Sequence, residues 1–168
     1  MSAGLARAIA TFCYVGLIPL APGTFGSLAA IPVAWGLHWA IGFPGLLAAT
    51  VIVFGIGYWA TLVATSAGGD PDPSEIVIDE VVGQWIALMP LSWGLWQMGA
   101  AAHVFPWPGW VGGFLLFRLF DIWKPWPVSW ADGLHGPLGV MLDDVLAGLM
   151  AAFVVAVAAA VAHGVLMR

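Results

Sequence analysis

Charge is what this sequence lacks most. Only 8% of its 168 residues are Asp, Glu, Lys or Arg, while 62% are hydrophobic. A soluble domain carries about a quarter charged residues. This chain cannot clothe its surface in polar groups, so lipid must be part of its solvent. Basic residues are the scarcest: four Lys and Arg stand against nine Asp and Glu, for a formal net charge of −5. Without a basic patch, nucleic acid is a poor partner. Cysteine is nearly absent. The single Cys13 excludes an intramolecular disulfide and reads as a small buried apolar residue in a reducing or intramembrane setting. No His/Cys cluster is present to hold zinc. Period-2 alternation is missing too, and with it the membrane β-barrel.

What fills the chain instead is long uncharged runs. There are 62 residues without charge between Arg7 and Asp70, 37 from Val81 to Phe117, and 23 from Val145 to Met167. A membrane-spanning helix needs about 20 apolar residues, and helices satisfy their own backbone in lipid. The expectation is an all-α, polytopic membrane helix bundle forming one domain over residues 1–168. About six helical segments can be drawn, near 4–18, 27–41, 45–67, 74–89, 109–124 and 138–166, with 91–106 as a further half-helix or re-entrant piece. Pro90 and Pro125 mark two of the stops. The N-terminal stretch superficially resembles a signal peptide but lacks a small-x-small cleavage site, and reads as a retained first helix. Eleven tryptophans, several beside charged or proline-rich stretches (Trp107, Trp110, Trp123, Trp126, Trp130), suit membrane interfaces. Arg7 and Arg168 place both termini in the cytoplasm under the positive-inside rule, which implies an even number of crossings, four here.

The few charges are gathered rather than spread. Asp70, Asp72, Glu75, Asp79 and Glu80 lie in one window; Arg118, Asp121, Lys124, Asp132, Asp143 and Asp144 lie in another. Charges deep in a bilayer cost roughly 2.5–3.5 kcal/mol each on insertion scales, so gathering several implies a use. Glu75 and Asp79 are spaced to share a helix face, as are Arg118, Asp121 and Lys124. The neighbours Asp79/Glu80 and Asp143/Asp144 point about 100° apart on a helix. Carboxylates suit Mg²⁺ or Mn²⁺; Arg and Lys suit phosphate oxygens. Together they point to phosphoryl chemistry. The turn PGTFGS offers backbone N–H groups for a phosphate, and His135 is of a type to protonate a leaving group. Plainer readings stand beside these. Asp143/Asp144 fit a helix cap, Arg118/Asp121/Lys124 an intrahelical ion-pair ladder, and PGTFGS a helix–helix turn. Asp70 and Asp72 fit a solvated loop, and His38, His103 and His163 fit structural or interfacial positions.

Four segments carry a family resemblance: LAPGTFGSLAAIP (20–32), DPSEIVIDEVVGQWIAL (72–88), FRLFDIWKPWPVSWAD (117–132) and LHGPLGVMLDDVLAG (134–148). In this order, and over about a third of the chain, they resemble the phosphatidylglycerophosphatase A family. The long pattern R-x-x-D-x-x-K-P-x-P followed by G-x-M-x-D-D-x-x-A-G is the specific part. The resemblance implies a bacterial inner-membrane enzyme that removes the terminal phosphate of phosphatidylglycerophosphate with Mg²⁺. The family's polar positions fall on Asp79, Glu80, Arg118, Asp121, Lys124, Asp143 and Asp144, with Thr24 and Ser27 in the N-terminal motif. The match assigns no individual roles. One departure is Pro137, where a glycine often follows His135-Gly136.

The expected mechanism is metal-assisted phosphomonoester hydrolysis at the cytoplasmic face, on a phospholipid that stays in the bilayer. Asp79, Glu80, Asp121, Asp143 and Asp144 are expected to hold the metal, and Asp79, Asp121, Asp143 and Asp144 to include the catalytic carboxylates. Arg118 and Lys124, with Thr24, Ser27 and His135, are expected around the phosphate. Three rivals remain: a phosphatase of another lipid or polyprenyl phosphate, a small transporter with an acidic cation pathway, and a structural or partner-binding membrane subunit.

Overall fold

The computed structural model describes residues 3–66, 73–134 and 136–166. Among these it is all-helical: α1 (Ala3–Ala10), a 3-10 turn (Val15–Leu17), α2 (Pro22–Thr65), α3 (Ile78–Gln97), α4 (Trp107–Trp123), α5 (Val128–Asp132) and α6 (Pro137–Leu166). The expected all-α architecture of about six helices is what forms, and α2 and α6 are long and apolar enough to cross a membrane.

The central element is α3. Every residue from Val81 to Leu88 is buried, because α2, α4 and α6 all pack on it. Helix α2 does so twice. At Gly42 the backbone takes φ 63° and ψ −167°, outside the helical region and open to glycine because it has no Cβ. The chain doubles back there. In the first half, Trp85 Nε1 donates to the Ala30 carbonyl (2.9 Å), and Gly26 lies against Val77. In the second half, Phe43 meets Trp93 edge-on at 4.9 Å near the end of α3, while Gly57 lies against Ile78 at its start. The two halves thus run along α3 in opposite directions, and the break falls between the two helices drawn from sequence.

Other boundaries differ from expectation. The first helix is shorter and stops at Ala10, since Phe12, Cys13 and Tyr14 all take positive φ. The second starts at Pro22 rather than 27; PGTFGS is its first turn, with proline at a position where the missing N–H costs nothing. Helix α3 starts at Ile78 rather than 74 because Pro73–Ile76 closes a turn (Ile76 N–H to Pro73 carbonyl, 2.9 Å). It then passes through Pro90 instead of stopping. Proline removes one helical hydrogen bond, but ending the helix in apolar surroundings would strip several more backbone groups of partners. The proline-rich loop 125–137 contains the unexpected short helix α5.

Candidate active site

Four helix ends converge at one end of the bundle: the starts of α2, α3 and α6 and the end of α4. They enclose a cavity of about 290 Å³ lined by Ala21, Pro22, Gly23, Ser74, Ile76, Asp79, Glu80, Arg118, Asp121, Lys124, Val140, Asp143 and Asp144. All seven charged residues of the sequence motifs line it. Asp79 and Glu80 occupy the first turn of α3, where the helix dipole favours negative charge. Asp79 Oδ1 accepts the Glu80 N–H (2.9 Å) and Asp143 Oδ1 accepts the Asp144 N–H (3.0 Å), which fixes both pairs of neighbours. Helix α6 begins at Pro137, so Asp143 and Asp144 stand nearly two turns inside it and do not cap it.

The acids divide into two groups. One oxygen from each of Asp79, Glu80 and Asp144 can be chosen so that all three lie within 4.8 Å of one another. Glu80 Oε2 and Asp144 Oδ1 are buried without a hydrogen-bond partner. Buried carboxylate oxygens lacking donors need a compensating charge, and oxygen ligands are what a hard divalent cation takes. The donor set therefore fits Mg²⁺ or Mn²⁺. The other two acids are held by cations. Arg118 Nη1 lies 2.6 Å from Asp121 Oδ2. That contact lacks the alignment of a hydrogen bond and is ionic; Arg118 Nε has no partner either. Lys124 Nζ donates to Asp143 Oδ2 (2.7 Å) and to Asp132 Oδ1.

Lys124 owes this position to a left-handed backbone (φ 48°, ψ 54°) that ends α4 ahead of Pro125. The turn swings its side chain off the helix. Half of the expected ladder, Arg118–Asp121, exists; Lys124 reaches across to α5 and α6 instead. Burial pulls the Lys124 ammonium down, but its hydrogen bonds to Asp132 and Asp143 outweigh that and hold it above the ordinary lysine range.

The remaining expected residues lie elsewhere. Ser27 is buried, and its hydroxyl donates to the Gly23 carbonyl (2.8 Å), turned into its own helix. Neither it nor Thr24 lines the cavity. His135, with Asp70, Asp72 and Arg168, lies outside the described residues. Glu75 is not on a helix face with Asp79; it pairs with Arg7 at 3.5 Å. His38 is buried and hydrogen-bonds Ser92 (2.8 Å), a tie between α2 and α3. Sequence reasoning missed Gly23, Ser74 and Asp132. Gly23 had a signal, a glycine inside a motif: a Cβ there would collide with Glu80 Oε1 and come within 3.2 Å of Arg118 Nη1. Asp132 stood among the gathered charges of the sequence, but its role did not show, because its partner lies across a turn that propensity does not reveal.

Comparison with known proteins gives a consistent picture. Residues 8–159 match the family described as "Phosphatidylglycerophosphatase A". The chain is 42% identical over 140 residues to "Phosphatidylglycerophosphatase A" of Escherichia coli (strain K12), covering 82% of this chain and 73% of that one. It is 40% identical over 151 residues to "Putative phosphatidylinositol-3-phosphatase" of Bacteroides thetaiotaomicron, covering 85% and 86%. It is 38% identical over 141 residues to "Phosphatidylglycerophosphatase A" of Haemophilus influenzae, covering 83% and 80%. No solved structure matches.

Proposed function

The chain belongs to the phosphatidylglycerophosphatase A family, and from that premise we propose that it hydrolyses the terminal phosphomonoester of phosphatidylglycerophosphate, with Mg²⁺, at the cytoplasmic face of a bacterial inner membrane. One observation carries the reading: a cluster of buried carboxylates with unpartnered oxygens shares a cavity with Arg118, at one end of an apolar bundle. Asp79, Glu80 and Asp144 are the residues to hold the ion. What Mg²⁺ supplies in such a set is Lewis-acid stabilisation of phosphoryl oxygens. Arg118, with free N–H groups beside Asp121, binds the non-bridging oxygens. Asp121 and Asp143, each fixed by a cation, hold the attacking water and take its proton. The water oxygen bonds to phosphorus as the P–O bond to the glycerol breaks, and the carboxyl that took the water's proton returns it to the departing glycerol oxygen. Lys124 keeps Asp143 in place rather than gripping phosphate directly.

The membrane setting follows the same logic. Helices α2 and α6 supply the apolar length. Arg7, Arg118 and Lys124 all stand at the cavity end of the bundle, which the positive-inside rule turns toward the cytoplasm. The acids sit near helix ends and not at mid-depth, against the transporter reading. A second substrate is favoured by the relative named "Putative phosphatidylinositol-3-phosphatase". Its named lipid and phosphatidylglycerophosphate share a phosphomonoester lying outward of a phosphodiester.

The test is phosphate release by purified, detergent-solubilised protein. Phosphatidylglycerophosphate, phosphatidylinositol-3-phosphate and phosphatidate are compared, with Mg²⁺ and with EDTA. Release that needs Mg²⁺ and is lost in Asp143→Asn is expected. No release from well-folded protein on any of the three lipids would end the reading.

A further inference from the structure

We infer that Arg7 binds the inner phosphodiester of the substrate and so separates lipids carrying two phosphates from phosphatidate, which carries one; this rests on the hydrolase reading above. A substrate with a monoester outward of a diester brings two anionic groups to one site. The cavity's own cations are accounted for. Arg118 sits among the acids, ready for the outer phosphate, and Lys124 is committed to both Asp132 and Asp143. Among the described residues Arg7 is the remaining Arg or Lys.

Its location is fixed by backbone. The Val77 N–H donates to the Ala10 carbonyl (2.9 Å), tying the end of α1 to the start of α3. Gly16 presses on the Glu75 carbonyl so closely that a Cβ could not fit. Arg7 reaches Glu75, and the residues on either side of Glu75, Ser74 and Ile76, line the cavity. Arg7 therefore stands at the rim, beside Ser74 and Ile76.

Its present partner holds it weakly. The Arg7–Glu75 contact is 3.5 Å long, with side chains 57% and 44% exposed. Exposed pairs of this kind contribute little. A phosphodiester offers the guanidinium a bidentate, charge-assisted contact that is stronger, so the lipid can displace Glu75.

The experiment measures kcat/KM for phosphatidylglycerophosphate and for phosphatidate in mixed micelles. Arg7→Ala should lower the ratio of the two by about tenfold, mainly through KM for the two-phosphate lipid, the size of one charge-assisted hydrogen bond. Arg7→Lys should restore part of it. Glu75→Gln, by removing the competitor, should lower KM for phosphatidylglycerophosphate when Arg7 is present and not in the Arg7→Ala background. A ratio unchanged by Arg7→Ala, or equal losses on both lipids, overturns the assignment while leaving the hydrolase reading standing. Wild-type protein that cleaves neither lipid sinks that reading, and the assignment with it.

Discussion

At the scale of single residues, the cavity depends on one side chain that is not there. Gly23 lets the first turn of α2 lie directly on Glu80 and Arg118. Gly23→Ala should leave the fold intact, since α2 gains helix propensity. It should cut phosphate release by about 100-fold, the cost of displacing a reacting group by about 1 Å. A variant with wild-type melting and wild-type rate would show that Glu80 is free to move. Lys124 makes the opposite kind of contribution, to stability. Its pKa is raised on folding, so its stabilisation is complete below the ordinary lysine range and is lost only as pH climbs through the raised value. The difference in melting temperature between wild type and Lys124→Met should thus shrink in strong alkali. The seven charged residues were legible in the sequence because an apolar chain has little reason to keep charges. What was not legible was their division of labour. That Lys124 serves Asp143 depends on a left-handed turn at Lys124 itself, which side-chain spacing along an assumed helix conceals.

At the scale of elements, the site depends on how closely α6 approaches α3. The two cross at Gly83 and Gly148. A Cβ on Gly148 would strike the Gly83 carbonyl oxygen, and one on Gly83 would lie 2.6 Å from the Asp144 carbonyl. Buried Ala147 and Ala151 extend the small surface along α6. Without a hydrophobic force between helices in lipid, such close packing is what holds them together. Gly148→Val should destabilise the protein by about 1–3 kcal/mol through overpacking. It should also move Asp144 away from Asp79 and Glu80, and so abolish the rise in melting temperature that Mg²⁺ gives the wild type. Loss of stability with the Mg²⁺ response preserved would show that the carboxylate cluster tolerates the shift. The sequence located most helices because apolar length and the Pro125 break are local signals. It misjudged Pro90 because a proline's effect depends on what surrounds the helix, and here α2 and α4 stay packed on α3 past it, at Ser92 and Leu91. It missed α5 because five residues between Pro127 and Gly133 are too few to show periodicity.

At the scale of the whole molecule, helix directions bear on how the chain sits in lipid. Leaving the cavity end, the described chain traverses the bundle with the first half of α2, returns with the second, leaves again with α3, returns with α4 and leaves with α6. Exposed tryptophans mark both ends: Trp123, Trp126 and Trp130 beside the cavity, and Trp39, Trp93 and Trp96 at the other. Two such belts are what two membrane interfaces require. The four crossings expected from sequence and these five traverses part company at one helix. Helix α4, at 17 residues, is about 25 Å long, short of a hydrocarbon core of about 30 Å. If tryptophans at its ends let it cross nonetheless, the end of α6 lies on the far side of the membrane from the cavity. Cys13 is exposed near the cavity end and serves as a native reporter; Gly164, exposed near the end of α6, takes the second. With Gly164→Cys in a Cys13→Ser background, a membrane-impermeant maleimide applied to inside-out and right-side-out vesicles should label the two positions from opposite faces. Labelling from the same face would mean that the bundle does not cross the bilayer between its cavity end and the end of α6.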